Sequence, residues 1–198
     1  MTRSIGPLIL LGLLQALAAC AATPADNGPT EYLDEKSAAT VTVVRHPLVL
    51  ARERRELAAN TRDYVTVAAA AVNRSGNITY VLIVYVWSTV DVRGAPRHAA
   101  AGTLVVAADD RRMRFDQAGT RAADQGIAVP VHAPPGQDAP PNVYATDLAT
   151  LRFIAAAGHV ALQLGADDTA PTYELWDDER PALASFVKFM NGDMGSSQ

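Results

Sequence analysis

Four histidines, the aspartate pairs Asp109-Asp110 and Asp167-Asp168, the serines Ser75 and Ser88, two tryptophans and a single cysteine are the side chains here that could do more than pack. A zinc centre needs three or four nitrogen, sulfur or carboxylate ligands in one place. His46, His98, His132 and His159 lie in four separate segments, and no HExxH or CxxC pattern occurs. His159 at a strand start and His46 before a proline read as structural. The aspartate pairs lack the spacing of a calcium-binding EF-hand loop and stand between strand-like runs, where aspartate makes turns. Neither serine sits in a GxSxG elbow. No glycine-rich phosphate loop is present, and Arg74-Ser75-Gly76 reads as a hairpin turn. Trp87 and Trp176 each occupy a strand-like run beside polar residues. Indoles so placed either stack on sugar, such as peptidoglycan or lipopolysaccharide, or pack in the core with the N–H bonded. Core packing is the expectation for both. No residue is therefore assigned a catalytic, cofactor-binding or metal-binding role.

Cys20 is a different case. It follows Leu17-Ala18-Ala19 and closes an N-terminus with a positive residue, Arg3, and an apolar stretch from Ile5 to Leu17. That is the layout of a secretory signal. The stretch is short for a membrane-spanning helix, which needs about 20 apolar residues, and the polar Thr23-Pro24-Ala25-Asp26-Asn27 follows at once. Leu17-Ala18-Ala19-Cys20 resembles the lipobox of bacterial lipoproteins. The resemblance implies a diacylglycerol on the Cys20 thiol, cleavage just before it and acylation of the new amine. Ala21 and Ala22 stand where inner-membrane lipoproteins commonly carry aspartate. The resemblance thus favours the periplasmic leaflet of the outer membrane over inner-membrane retention. Two or more acyl chains hold a protein stably on a bilayer, where one does not.

Composition narrows the rest. Hydrophobic residues make up 49% of the chain, enough for a real core. With the sole cysteine lipidated, packing alone must hold the domain. The net charge of −4 becomes one unit more negative once Arg3 is removed, which argues against nucleic-acid binding. Arginines cluster at Arg45, Arg52, Arg54, Arg55 and Arg62 and again at Arg111, Arg112 and Arg114, while the last third is acidic. The basic cluster could face anionic headgroups or an acidic partner. Pairing of these charges with one another in the fold is favoured.

The elements that must position these side chains are mostly strands. Ala39–Val44 is β-branched and partly alternating. Pro47–Ala51 reads as a short edge strand, since proline is tolerated at strand starts and edges. Arg52–Asn60 reads as a loop or short helix. Asp63–Asn73 and Ile78–Ser88 form the clearest element, a hairpin turning at 74–77. Its second strand is apolar almost throughout and should be buried on both faces. The alanines of the first strand leave room for Tyr80, Tyr85 or Trp87 to pack across the pair. A second hairpin is expected from 102–107 to 113–115, turning at Asp109-Asp110. Residues 117–142 are loop-rich. Their Pro-Pro pairs stiffen the run 133–141, which reads as a surface loop rather than a ligand for a partner. Thr146 or Asp147 should cap a helix through Leu148, Leu151 and Ile154, with Gly158 as its stop. Strands follow at 159–164 and 173–176. Asp177 or Asp178 opens a last helix carrying Pro181 in its first turn and ending at Asn191-Gly192.

The expected fold is α+β, mainly antiparallel β in a sandwich-like sheet domain, with two short helices near the C-terminus. The expected organisation is a signal peptide over 1–19, a lipidated cysteine and tether over 20–30, one periplasmic domain over 31–192 and a disordered tail over 193–198. Functionally the chain reads as a membrane-anchored, non-enzymatic binding module of the cell envelope, its partners the membrane, through lipid on Cys20, and an envelope protein or lipid. The alternative is a hydrolase or small-ligand carrier with a site assembled from dispersed residues. A deep pocket with convergent polar groups would favour the alternative. An exposed aromatic or apolar patch would favour the module.

Overall fold

The computed structural model describes residues 27–57, 60–89, 102–119, 121–134, 140–165 and 169–192. Cys20 and its leader, His98, Asp167-Asp168, residues 135–139 of the proline-rich run and the tail at 193–198 lie outside the described residues.

One long hairpin organises the chain. β4 (Arg62–Arg74) and β5 (Asn77–Ser88) pair in register from Asp63 opposite Ser88 to Arg74 opposite Asn77. The two linking residues, Ser75 and Gly76, have φ of 53° and 89°. Positive φ at both central positions defines a type I′ turn, whose twist matches that of the flanking strands. The Asn73 side chain accepts the Gly76 N–H at 2.8 Å and completes the turn. In β5 the run Val81–Tyr85 is buried on both faces, as its composition requires, while Asn77–Thr79 are exposed. Across the pair, Tyr80 faces Ala71, whereas Tyr85 faces Thr66 and Trp87 faces Tyr64.

Around this hairpin lie β1 (Thr30–Asp34), β2 (Ala39–Val43), β3 (Leu48–Glu53), β6 (Leu104–Ala108), β7 (Arg111–Phe115), β8 (Gln117–Gly119), β9 (Asn142–Thr146), β10 (Val160–Leu164) and β11 (Thr172–Asp177). All pairings are antiparallel, in the order β7-β6-β10-β11-β3-β4-β5-β9-β8. β2 pairs with the distal half of β4, and β1 lies outside β2. β7 returns beside β9, so the sheet nearly closes. The α+β expectation holds: strands dominate, and the two α-helices, α1 (Leu148–Ala156) and α2 (Arg180–Met190), come near the C-terminus.

The sheet is covered twice. Leu48 and Leu50 of β3, Val67 of β4 and Leu162 of β10 point toward Leu151 and Ile154 of α1 and Leu183 of α2. On the opposite face, Val41, Val43, Ala70, Val72, Val81 and Ile83 are also buried, around the distal half of the hairpin. There the segment 121–134, which includes a short 3₁₀ turn at Ala122–Gln125, is tied to the β1–β2 end. Asp34, itself buried, accepts the Lys36 and Ser37 N–H groups at 3.0 and 3.1 Å and the Ala128 N–H at 2.6 Å. Gly126 has φ of 88°, which L side chains rarely adopt, and a Cβ there would also have to displace the end of the Arg74 side chain, 2.6 Å away.

Several elements differ from expectation. The strand read as an edge at Pro47–Ala51 is β3, which lies inside the sheet between β11 and β4. Pro47 stops just short of it, so each strand residue keeps its ladder N–H. Arg52 and Glu53 prolong β3 rather than opening a loop or helix. Thr30 belongs to β1 and pairs with Val43, so the sheet begins one residue before the expected domain start. Asp147 caps α1, accepting the Thr150 N–H at 2.8 Å. For α2 the cap position is Glu179, which makes no side-chain bond. Asp178 instead accepts the Arg180 N–H at 3.2 Å from one position earlier, while Asp177 ends β11. The Arg180 guanidinium bonds Asp178 and the Ala157 carbonyl, joining the start of α2 to the end of α1.

Candidate functional site

The register sets one row of side chains across the face opposite the helices. Trp87 lies opposite Tyr64, Tyr64 opposite Ala51, and Ala51 opposite Glu174. The row runs on through Ala161 and Ala107 to Arg112. Alternation along each strand puts Glu53 and Arg62, directly opposite each other, on the same face. Large residues stand at the two ends, and the alanines between them keep the floor low.

Trp176 lies two residues beyond Glu174, so alternation along β11 places it on this face as well. β11 pairs Leu175 with Leu50 and Asp177 with Val49, so Trp176 is the extra residue of a β-bulge. Here the indole meets Tyr64 at 6.1 Å between ring centroids and 81° between planes, and the Arg62 guanidinium lies 4.5 Å from its centroid. Trp176 remains 56% exposed. The expectation of core packing therefore fails for Trp176. For Trp87 it is met in part: the indole is half-buried rather than in the core, but it stacks on Tyr64 at 4.3 Å and 14°, and its N–H donates to Thr66 Oγ1 at 3.0 Å.

Beside Trp176 opens a cleft of about 350 Å³, lined by Ala51, Arg62, Thr172 and Glu174 among others. Its ionic groups are paired. Arg62 reaches Glu53 at 3.4 Å, and Glu53 also accepts from Arg55 at 2.7 Å. The Arg55 guanidinium beside Glu53 holds that carboxyl below its usual range. Arg52 and Arg54 both donate to Asp63 Oδ2 at 2.8 Å. Burial acts to raise the Asp63 pKa, and the bonds from Arg54 and Arg52 overcome it, so the net shift is downward. Glu174 meets His159 Nε2 at 3.1 Å. The arginine cluster at 52–62 is thus paired with acids of its own neighbourhood rather than those of the C-terminal third.

The remaining sequence candidates are dispersed. His46 is exposed, and His132 Nε2 lies 2.7 Å from the Val44 carbonyl oxygen. Among the described residues, no three His, Cys, Asp or Glu side chains are grouped to hold a metal ion. Asp109 makes a turn, as expected, and its Oδ1 accepts the His159 N–H at 2.9 Å. Ser75 is in the β4–β5 turn, and Ser88 Oγ donates to the Arg62 carbonyl at 3.2 Å. Between sheet and helices lies an apolar cavity of about 20 Å³, room for no more than about one water.

The sequence pointed to Trp176 by residue type alone. Arg62 stands out in the sequence only as one of the arginine cluster, and Glu53 and Tyr64 not at all, although the alternation of Arg62, Tyr64 and Thr66 carries the signal of a shared face. No protein-family model matches the chain, and neither a curated protein nor a solved structure does.

Proposed function

We propose that this protein is a lipid-anchored component of the bacterial envelope, held at the periplasmic face of the outer membrane through Cys20. It works there as a non-enzymatic binding module through the face that carries Trp176. The observation that supports this reading most is the indole itself. A large aromatic residue stands more than half exposed on this face, Tyr64 and Arg62 brace it, and a shallow polar cleft opens beside it. Tryptophan, tyrosine and arginine are the residues that dominate contact energies. The tether from Ala21 to Pro29 spans at most about 30 Å, so the module would work close to the bilayer.

Two measurements test the two halves of the reading. Labelled palmitate should enter the wild type and be absent from Cys20→Ala; equal labelling would overturn the anchor. Trp176→Ala should keep the wild-type melting curve and lose the crosslinks that the wild type makes to envelope material in cells. Unchanged crosslinks would show that this face is not the contact surface.

A further inference from the structure

We infer that the cleft beside Trp176 takes a neutral sugar ring of an envelope glycan. The inference rests on the binding-module reading and names its ligand class. A pyranose has one face of C–H groups and a rim of hydroxyls, so its receptor needs an exposed aromatic surface, hydrogen-bonding groups of both kinds, and no unbalanced charge.

The cleft meets each requirement. The aromatic surface is Trp176, more than half exposed although Tyr64 and Arg62 both touch it. The edge-on Tyr64 contact and the Arg62 stack fix the ring, so little side-chain freedom is lost on binding. Arg62 supplies donors, and Glu53 and Glu174 supply acceptors with lone pairs beyond those already used. Charge balance then selects the ligand class. Arg62 and Arg55 share Glu53, Arg52 and Arg54 share Asp63 with Glu56 also on Arg54, and Glu174 faces His159, so four arginines stand against four carboxylates. A phosphate or a cationic peptide would have to break these pairs, whereas hydroxyl groups can join them. The floor at Ala51, between Tyr64 and Glu174, is low enough to admit a flat ring. A cleft of about 350 Å³ suits one or two rings.

The test is titration of the full chain, in detergent micelles, with neutral oligosaccharides (an N-acetylglucosamine tetramer and a glucose tetramer), followed by tryptophan fluorescence and calorimetry. Cosedimentation with purified peptidoglycan sacculi and binding to lipopolysaccharide distinguish the two natural sources. Saturable binding to at least one neutral glycan is expected, weakened about tenfold or more in Trp176→Ala and partly restored in Trp176→Phe. Trp87→Phe should leave the fluorescence change intact, because that indole is stacked on Tyr64 and bonded to Thr66. Binding that is equally strong in Trp176→Ala would overturn the inference, as would no binding to any of these glycans. If glycan binding is absent while Trp176→Ala still loses crosslinks to a protein, the ligand class is wrong and the binding-module reading stands. If neither changes, both fail.

Discussion

Replacing Asp34 tests how the segment 121–134 is held to the sheet. Its carboxylate is buried and accepts three backbone N–H groups: Lys36 and Ser37 on Oδ1, and Ala128 on Oδ2 at 2.6 Å. The first two close the turn between β1 and β2. The third reaches across the molecule and, with the Ser37 hydroxyl on the Gly126 carbonyl at 2.9 Å, forms the clasp. A hydrogen bond to a charged group is worth about 1.5–3 kcal/mol net. Asp34→Ala orphans all three donors. Lys36 is exposed and Ser37 half-buried, so water can replace much of what those two lose. The total expected is about 2–4 kcal/mol, a fall in Tm of roughly 5–15 °C for a domain of this size. Asp34→Asn keeps an acceptor for the turn but points an amide donor at the Ala128 N–H, so its loss should be intermediate.

Urea unfolding followed by circular dichroism measures both losses, and protease sensitivity within 121–134 reports the clasp directly. The hydrogen bonds from Ala128, Ser37 and Lys36 hold the Asp34 carboxyl below its usual range against the opposing effect of burial. The folded state therefore binds fewer protons than the unfolded state. The stability contributed is complete above the ordinary Asp pKa of about 4 and drains away as pH falls through the lowered folded value. Asp34→Asn should remove that part of the acid slope. Both variants lying within about 0.5 kcal/mol of wild type, the scatter of ordinary surface substitutions, would refute the clasp.

Other outcomes follow from the packing. Ile83 and Val84 point to opposite faces of β5 and are both buried, so Ile83→Asp and Val84→Asp should each cost more than about 4 kcal/mol or prevent folding; a soluble, cooperatively melting variant would put that face in water. Gly126→Ala should lower stability by at least about 1 kcal/mol through its positive φ and the Arg74 contact, measured by thermal melting, and an unchanged Tm would mean the clasp loop adapts. Burial pushes the Tyr144 phenol up to about 12 and raises Tyr32, Tyr85 and Tyr173 as well. Folding keeps these protons, so stability is intact below the ordinary phenol value of about 10 and falls as pH rises toward 12; Tyr144→Phe should flatten that alkaline slope by roughly 3 kcal/mol across the interval, read from urea midpoints.

Local chemistry was legible in the sequence wherever a few neighbouring residues decide the outcome. Ser75-Gly76 specified a tight turn, Thr146 or Asp147 marked a helix start that Asp147 caps, and the apolar strand 78–88 called for burial on both faces, which holds over 81–85 but not at its ends, because backbone preference, capping and hydrophobic transfer all act within a few residues. Asp109-Asp110 made its turn for the same reason. Cys20 stands on the residues immediately before it and on their resemblance to a lipobox. What needed the tertiary structure involved partners distant in the chain. β3 reads as an edge strand on its own, and only pairing with both β4 and β11 places it inside the sheet. The arginines at 52 and 54 could have sought any acid, and the β3–β4 register gave them Asp63. Trp176 alternates with Glu174 onto the face opposite the helices, but the residues that meet it there, Tyr64 and Arg62 of β4, come to it only through the β11–β3–β4 pairing. The pairing that sets the register joins segments over a hundred residues apart, so the candidate site comes into being only when the sheet closes.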